Sequence, residues 1–113
     1  VTITNSMDQA LLVHKNYWGS QHESRSAWQL IEEMAELTVA LSHRMRNRDA
    51  NVVEELADVE ICLAFVKDSM GIKWRPATQE EGLKEAEYRS TITKKANKLC
   101  ERLKEARVGG IIP

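Results

Sequence analysis

The 113-residue chain has no apolar run of about 18 residues, so no segment reads as a membrane-crossing helix, and it shows no signal-peptide pattern. No membrane partner is expected. It also lacks an excess of either charge, with sixteen Lys and Arg against seventeen Asp and Glu. That balance gives no general support for binding a nucleic-acid backbone, which calls for a surplus of Lys and Arg, although "HRMRNR" is a local basic patch. Cysteine is scarce: Cys62 and Cys100 lie far apart, each inside a helical pattern, with no paired ligand spacing around them. Neither a disulfide framework nor a zinc site is indicated, and reduced thiols fit a cytoplasmic protein. The three histidines, His14, His22 and His43, have no serine or cysteine partner and no second histidine at ligand spacing, so neither a nucleophilic triad nor a zinc site is indicated; His22 reads as a surface residue, with substrate contact as the alternative. Internal repeats, low-complexity tracts and strand-like alternation are all missing.

What the chain does have is helical periodicity. One domain suits its length. Four segments can be drawn: roughly Ser6 to Tyr17, Ser24 to Met45, a third after Asn51, and a last one running to about Arg107. "WGSQHESRSA" reads as the connector between the first two. On the second segment an apolar stripe runs Ala27, Leu30 or Ile31, Met34, Leu37, Leu41 and Met45; on the third it runs Leu56, Val59, Leu63, Val66 and Met70. "RNRDAN" separates the two stripes. Asn51 with Glu54 stands in the capping-box position, Gly71 is a suitable residue just past a helix end, and Thr78 with Glu81 offers another capping box. The fold expected is all-α, a four-helix bundle-like domain with two long central helices. Its parts are an N-terminal helix and connector over 1–23, a core over 24–107 and a tail over 108–113.

Acidic residues recur inside this pattern. "QLIEEMAEL" holds Glu33 and Glu36, and "VEELADVE" holds Glu55 and Asp58, each pair three residues apart and so on one helix face. If the two long helices pack antiparallel, four carboxylates converge. Clustered like charges repel, and an oxygen-rich cluster of this kind suits Mg²⁺ or Mn²⁺. The competing explanation is a pair of solvated acidic faces neutralised by nearby basic residues. Placement favours the metal, because Glu33 neighbours Met34 and Glu55 neighbours Leu56 at the border of the expected core. Glu32 and Glu54 are spare members that could supply a ligand, act as a base or hold Lys98.

The arrangement Glu33-x-x-Glu36, eighteen residues, Glu55-x-x-Asp58 resembles the signature of the MazG-like all-α nucleoside triphosphate pyrophosphohydrolases, as do "EEMAEL" and "EELADV" around it. A third block, "KKANKLCERL", is similar to the segment that finishes the core of these proteins. The resemblance covers about residues 24 to 103. It implies Mg²⁺-dependent cleavage between the α and β phosphorus atoms of a nucleoside triphosphate, with Glu33, Glu36, Glu55 and Asp58 as metal ligands. One of Glu32, Glu33 or Glu36 would position or deprotonate the attacking water. Asn97, Lys98 and Arg102 fall where the pattern places phosphate or substrate contacts, and Trp18, Gln21 and Gln29 are candidates for the base or sugar. Trp28 reads as core, and Trp74 either closes the pocket or anchors the loop before Pro76. The resemblance also implies a homodimer or homotetramer, which a short chain with much apolar helix surface would favour. The alternative function is a non-enzymatic helical interaction module, indifferent to Mg²⁺.

Overall fold

A computed structural model of the chain describes residues 3–73 and 83–108. Two compact units divide it, Val1–Pro76 and Ala77–Pro113. All regular structure among the described residues is helical: α1 spans Ile3–Trp18, α2 His22–Met45, α3 Val52–Ser69 and α4 Leu83–Val108. The all-α expectation holds, but the four-helix bundle-like domain is corrected. Backbone is helical without a gap over 3–45, leaving three helical stretches, one long and merged and two others. The reason lies in the expected connector. Gly19–Gln21 forms a single 3-10 turn, and "HESRSA" contains no proline to stop a helix and already belongs to α2. Gly19, at φ 52, takes the left-handed conformation that other residues avoid, so the merged stretch bends there and α1 comes to lie against α2 and α3.

α2 and α3 form an antiparallel hairpin, the main packing of the first unit. His22 at the start of α2 meets Asp68 at the end of α3, while Glu36 meets Glu55. Among the described residues the buried apolar side chains are few: Leu11, Ala40, Ala64 and Ile72. On α2 the inward stripe is Ser26, Leu30, Glu33, Leu37 and Ala40, and on α3 it includes Glu55, Asp58, Val59, Cys62, Phe65 and Val66, all buried or half-buried. Much of the apolar stripe read from sequence lies beside this seam and stays exposed, including Ile31, Met34, Leu41, Met45, Leu56, Leu63 and Met70. Trp28, expected in the core, is 61% exposed. Small Ser26 and Ala40 let the helices approach, and the Ser26 hydroxyl is satisfied by the His22 carbonyl at 2.6 Å.

Both hairpin helices end in the same way. After α2, Asn47 has φ 59, Arg48 N–H donates to His43 O at 2.8 Å and Asn47 N–H to Arg44 O at 3.0 Å. After α3, Gly71 has φ 79, Ile72 N–H donates to Lys67 O at 2.8 Å and Gly71 N–H to Asp68 O at 3.1 Å. This paired pattern satisfies carbonyls that a helix end would otherwise leave open. At the start of α3, Asn51 Oδ1 accepts the Glu54 N–H at 3.1 Å and its Nδ2 donates to the Glu54 carboxylate at 2.8 Å, so the expected cap is present. Thr78, Glu81, Trp74, Pro76 and residues 109–113 lie outside the described residues. In the second unit α4 is a single helix of 26 residues whose side chains are exposed from Arg89 to Glu105.

Candidate metal centre

The seam between α2 and α3 carries charge where a hairpin would ordinarily carry apolar side chains. Glu33 comes from the middle of α2, Glu55 and Asp58 from the first turns of α3, and one oxygen from each lies within 4.8 Å of the other two. Glu36, one turn beyond Glu33, is within hydrogen-bonding reach of both Glu33 and Glu55. The i and i+3 spacing explains the convergence: each pair occupies one helix face, and antiparallel packing turns the two faces toward each other. Glu33 Oε2 and Glu55 Oε2 are buried and have no hydrogen-bond partner, a costly state for an ionised oxygen.

The electrostatics record the same crowding. Local burial raises the pKa of Glu33, and the hydrogen bond and charge of Glu36 and the charges of Asp58 and Glu55 add to it. Glu55 is raised by local burial, then by the charges of Glu36, Asp58 and Glu54 and the hydrogen bond to Glu36. Glu33 and Glu55 therefore hold their protons to higher pH than free carboxyl groups do. Cys62, one turn past Asp58, is pushed up by burial and then by Glu33, Asp58 and Glu32, so its thiol is held against ionising. A set of carboxylate oxygens with two orphaned atoms fits a hard divalent cation. The acidic cluster can coordinate a metal ion.

Beside the cluster an open cleft of about 440 Å³ has Glu36 and Glu55 in its wall. Ala35, Val39, Ala40 and Ala50 supply apolar surface, and His43, Asp49 and Asn51 supply polar groups. A volume of this order lies within the range of small-molecule sites. Sequence reading gave His43, Asp49 and Ala50 no part in a site. The available signal was position alone, since His43 stands seven residues, two turns, beyond Glu36.

The other sequence candidates fall elsewhere. Glu32 is exposed on α2, near enough for its charge to act on Cys62. Half-buried Trp18 has the Arg25 guanidinium 4.9 Å from its ring centroid and the Tyr17 ring 4.9 Å away. Gln21 is exposed in the 3-10 turn, where its carbonyl accepts from Ser24 at 3.2 Å. Gln29 Oε1 faces His14 Nε2 at 2.8 Å. Asn97, Lys98 and Arg102 are exposed on α4 in the second unit, Lys98 and Arg102 one turn apart. The reading of His22 as a surface residue is overturned, since it is only 6% exposed; His14 is half-buried. No helix among the described residues is long and apolar enough to cross a membrane. Comparisons with protein-family models, with characterised proteins and with solved structures returned no match.

Proposed function

We propose that the chain is a Mg²⁺-dependent nucleoside triphosphate pyrophosphohydrolase acting in the cytoplasm. The observation that carries this reading is the convergence of Glu33, Glu55 and Asp58 beside Glu36, with two buried oxygens left unpartnered, next to a cleft that Glu36 and Glu55 line. Glu33, Glu36, Glu55 and Asp58 hold Mg²⁺, with Mn²⁺ as an acceptable substitute. The cation, when bound, neutralises phosphate charge and lowers the pKa of a coordinated water. The protein's own groups do the rest. A carboxylate among Glu32, Glu33 and Glu36 orients the attacking water and accepts its proton. Water oxygen bonds to the α phosphorus as the bond to the α–β bridging oxygen breaks, releasing nucleoside monophosphate and pyrophosphate. The apolar floor of Ala35, Val39 and Ala40 seats the nucleoside. Asn97, Lys98 and Arg102 are proposed phosphate contacts, and Trp18 and Gln21 proposed base or sugar contacts. Gln29 joins them only if it releases His14.

The exposed apolar row Ile31, Met34, Leu41 and Met45 favours a homodimer or homotetramer within the same proposal, because self-association would cover it. Light scattering on Ile31→Glu tests this, with a smaller assembly expected. For the reaction, a panel of ribo- and deoxyribonucleoside triphosphates is incubated with Mg²⁺, and pyrophosphate is separated from orthophosphate. Pyrophosphate and monophosphate, lost in Glu36→Ala, support the reading. Orthophosphate with diphosphate would place the cleavage at the wrong bond. Absence of metal-dependent turnover across the panel would favour the interaction module, for which the same exposed row is the supporting observation.

A further inference from the structure

At the opposite end of the hairpin from the cleft, four polar side chains form an unbroken chain. Gln29 Oε1 faces His14 Nε2 at 2.8 Å, His14 Nδ1 faces His22 Nδ1 at 3.0 Å, and His22 Nε2 faces Asp68 Oδ2 at 3.3 Å. The chain ties α1 through His14 to α2 through His22 and Gln29, and to α3 through Asp68. Phe65 of α3 stacks on the His14 ring, with centroids 4.1 Å apart. His22 is almost fully enclosed, so water cannot substitute freely for these partners.

The proton count depends on which end of the Gln29 amide faces His14. With the carbonyl oxygen there, His14 Nε2 carries a proton, and the Asp68 carboxylate requires one on His22 Nε2. One proton must also lie between the two Nδ1 atoms. That makes three protons on four ring nitrogens, one more than two neutral imidazoles hold, and the extra positive charge faces Asp68. With both rings neutral the chain closes only if Gln29 turns its amide to donate to His14 Nε2. With both rings doubly protonated, two N–H groups point at each other across 3.0 Å and the chain must open.

We propose that the His14–His22 pair is a proton-sensitive latch that docks α1 on the α2–α3 hairpin. The joint closes with both rings neutral or with one added proton shared between them; a second forces it apart. The groups set against the pair are Gln29 from α2 and Asp68 from α3. Arg25, one turn after His22, is occupied with Trp18. Charged sequence neighbours are Lys15 and Glu23, both exposed, and Lys67, which has a partner of its own. The latch is independent of the metal reading, since Gln29 and Glu33 are a full turn apart and none of its titrating groups is in the acidic cluster. Its state does fix which face of the Gln29 amide points at His14, one turn before Glu33.

Ring-nitrogen NMR of the full chain across pH 4 to 9, with amide hydrogen exchange of α1, tests the latch. Imidazole groups ordinarily change charge inside this range. The expected result is a first proton whose uptake moves both rings together, as coupled sites do, and a second that lowers protection of α1 at least about tenfold. Asp68→Asn should move the first uptake to lower pH, and His14→Gln should make α1 protection insensitive to pH. Should His14→Gln fail to fold, the wild-type spectra and Asp68→Asn still decide. Independent single titrations of the two rings, or α1 protection unchanged through both steps, would overturn the proposal.

Discussion

The α2–α3 seam contains two polar clusters about 16 Å apart along the helix, from His22 to Glu33 at the usual rise per residue, and they are built on opposite terms. At the histidine end every ring nitrogen faces a partner, and the carboxylate of Asp68 faces His22. At the acidic end like charges face one another, and Glu33 Oε2 and Glu55 Oε2 have no hydrogen-bond partner. The difference teaches how to read buried polarity. A closed network holds helices together and asks for no ligand, whereas an open one is destabilising until something of opposite charge arrives.

The largest effect expected from breaking this contrast is at the acidic end. Glu55→Ala or Asp58→Ala should lower metal affinity or turnover by more than about 100-fold, since even partners of metal ligands are commonly worth 10–100-fold. Isothermal titration with Mn²⁺ reads the first and pyrophosphate release the second. The same substitutions should leave the His14 and His22 ring spectra unchanged, because those rings touch neither residue. A joint loss at both ends would mean that the seam is one cooperative unit.

Next comes the dependence on pH. Glu33 and Glu55 have raised pKa values in the folded chain, so between the ordinary carboxylate value and their raised ones the folded state binds more protons than the unfolded. Metal-free stability should therefore fall as pH rises through that window, with the loss complete above it. Cation affinity should rise through the same window, because ligands must deprotonate to bind. Mg²⁺ at 100 times its dissociation constant would then restore about 2.7 kcal/mol, visible as an upward shift of the thermal midpoint. A midpoint blind to Mg²⁺ at pH 8 would sink the proposed metal site.

Glu33→Gln sharpens the contrast with a smaller effect and a change of sign. The amide keeps the shape, removes one of the repelling charges and can donate to Glu36, so the metal-free protein should melt higher than wild type while binding the cation more weakly. A satisfied network behaves oppositely: Asp68→Asn should lower the melting point, because the enclosed His22 ring exchanges a carboxylate acceptor for a weaker neutral one. Denaturant melts of both variants at pH 8 without metal compare the two ends directly.

Much of the acidic end was legible from residue spacing, and almost nothing of the histidine end was. Glu33-x-x-Glu36 and Glu55-x-x-Asp58 announce themselves because residues three apart share a face whatever the tertiary structure. His14 and His22 are eight apart and cross the Gly19 bend, so their contact depends on a turn that local pattern does not specify. The same limit explains the helix count, since a 3-10 turn joins what looked like two separate segments. It also explains the displaced stripe. Ile31, Met34 and Leu41 are the more apolar choice for a core, yet Ser26, Glu33 and Ala40 occupy the seam, where small Ser26 and Ala40 allow close helix approach. Of the cleft residues, His43 lies two turns past Glu36 on α2, whereas Asp49 and Asn51 lie between α2 and α3, and only folding brings those two beside Glu36.

The finest test weakens each end through the backbone and leaves the clusters themselves alone. Asn51 caps the turn of α3 that carries Glu55, so Asn51→Ala should cost about 1 kcal/mol and fray that turn. Gly71 closes the far end of α3, three residues past Asp68, at φ 79 with open space around its Cα. Gly71→Ala meets no steric contact and should cost about 1–2 kcal/mol from the left-handed conformation alone. If the two clusters are separate devices on a shared seam, Asn51→Ala should reduce cation affinity by less than tenfold and leave the histidine rings undisturbed. Gly71→Ala should do the reverse, weakening hydrogen-exchange protection of α1 with the metal isotherm intact. Each variant reports on the end it adjoins, and crossed effects of equal size would show that α3 transmits strain along its whole length.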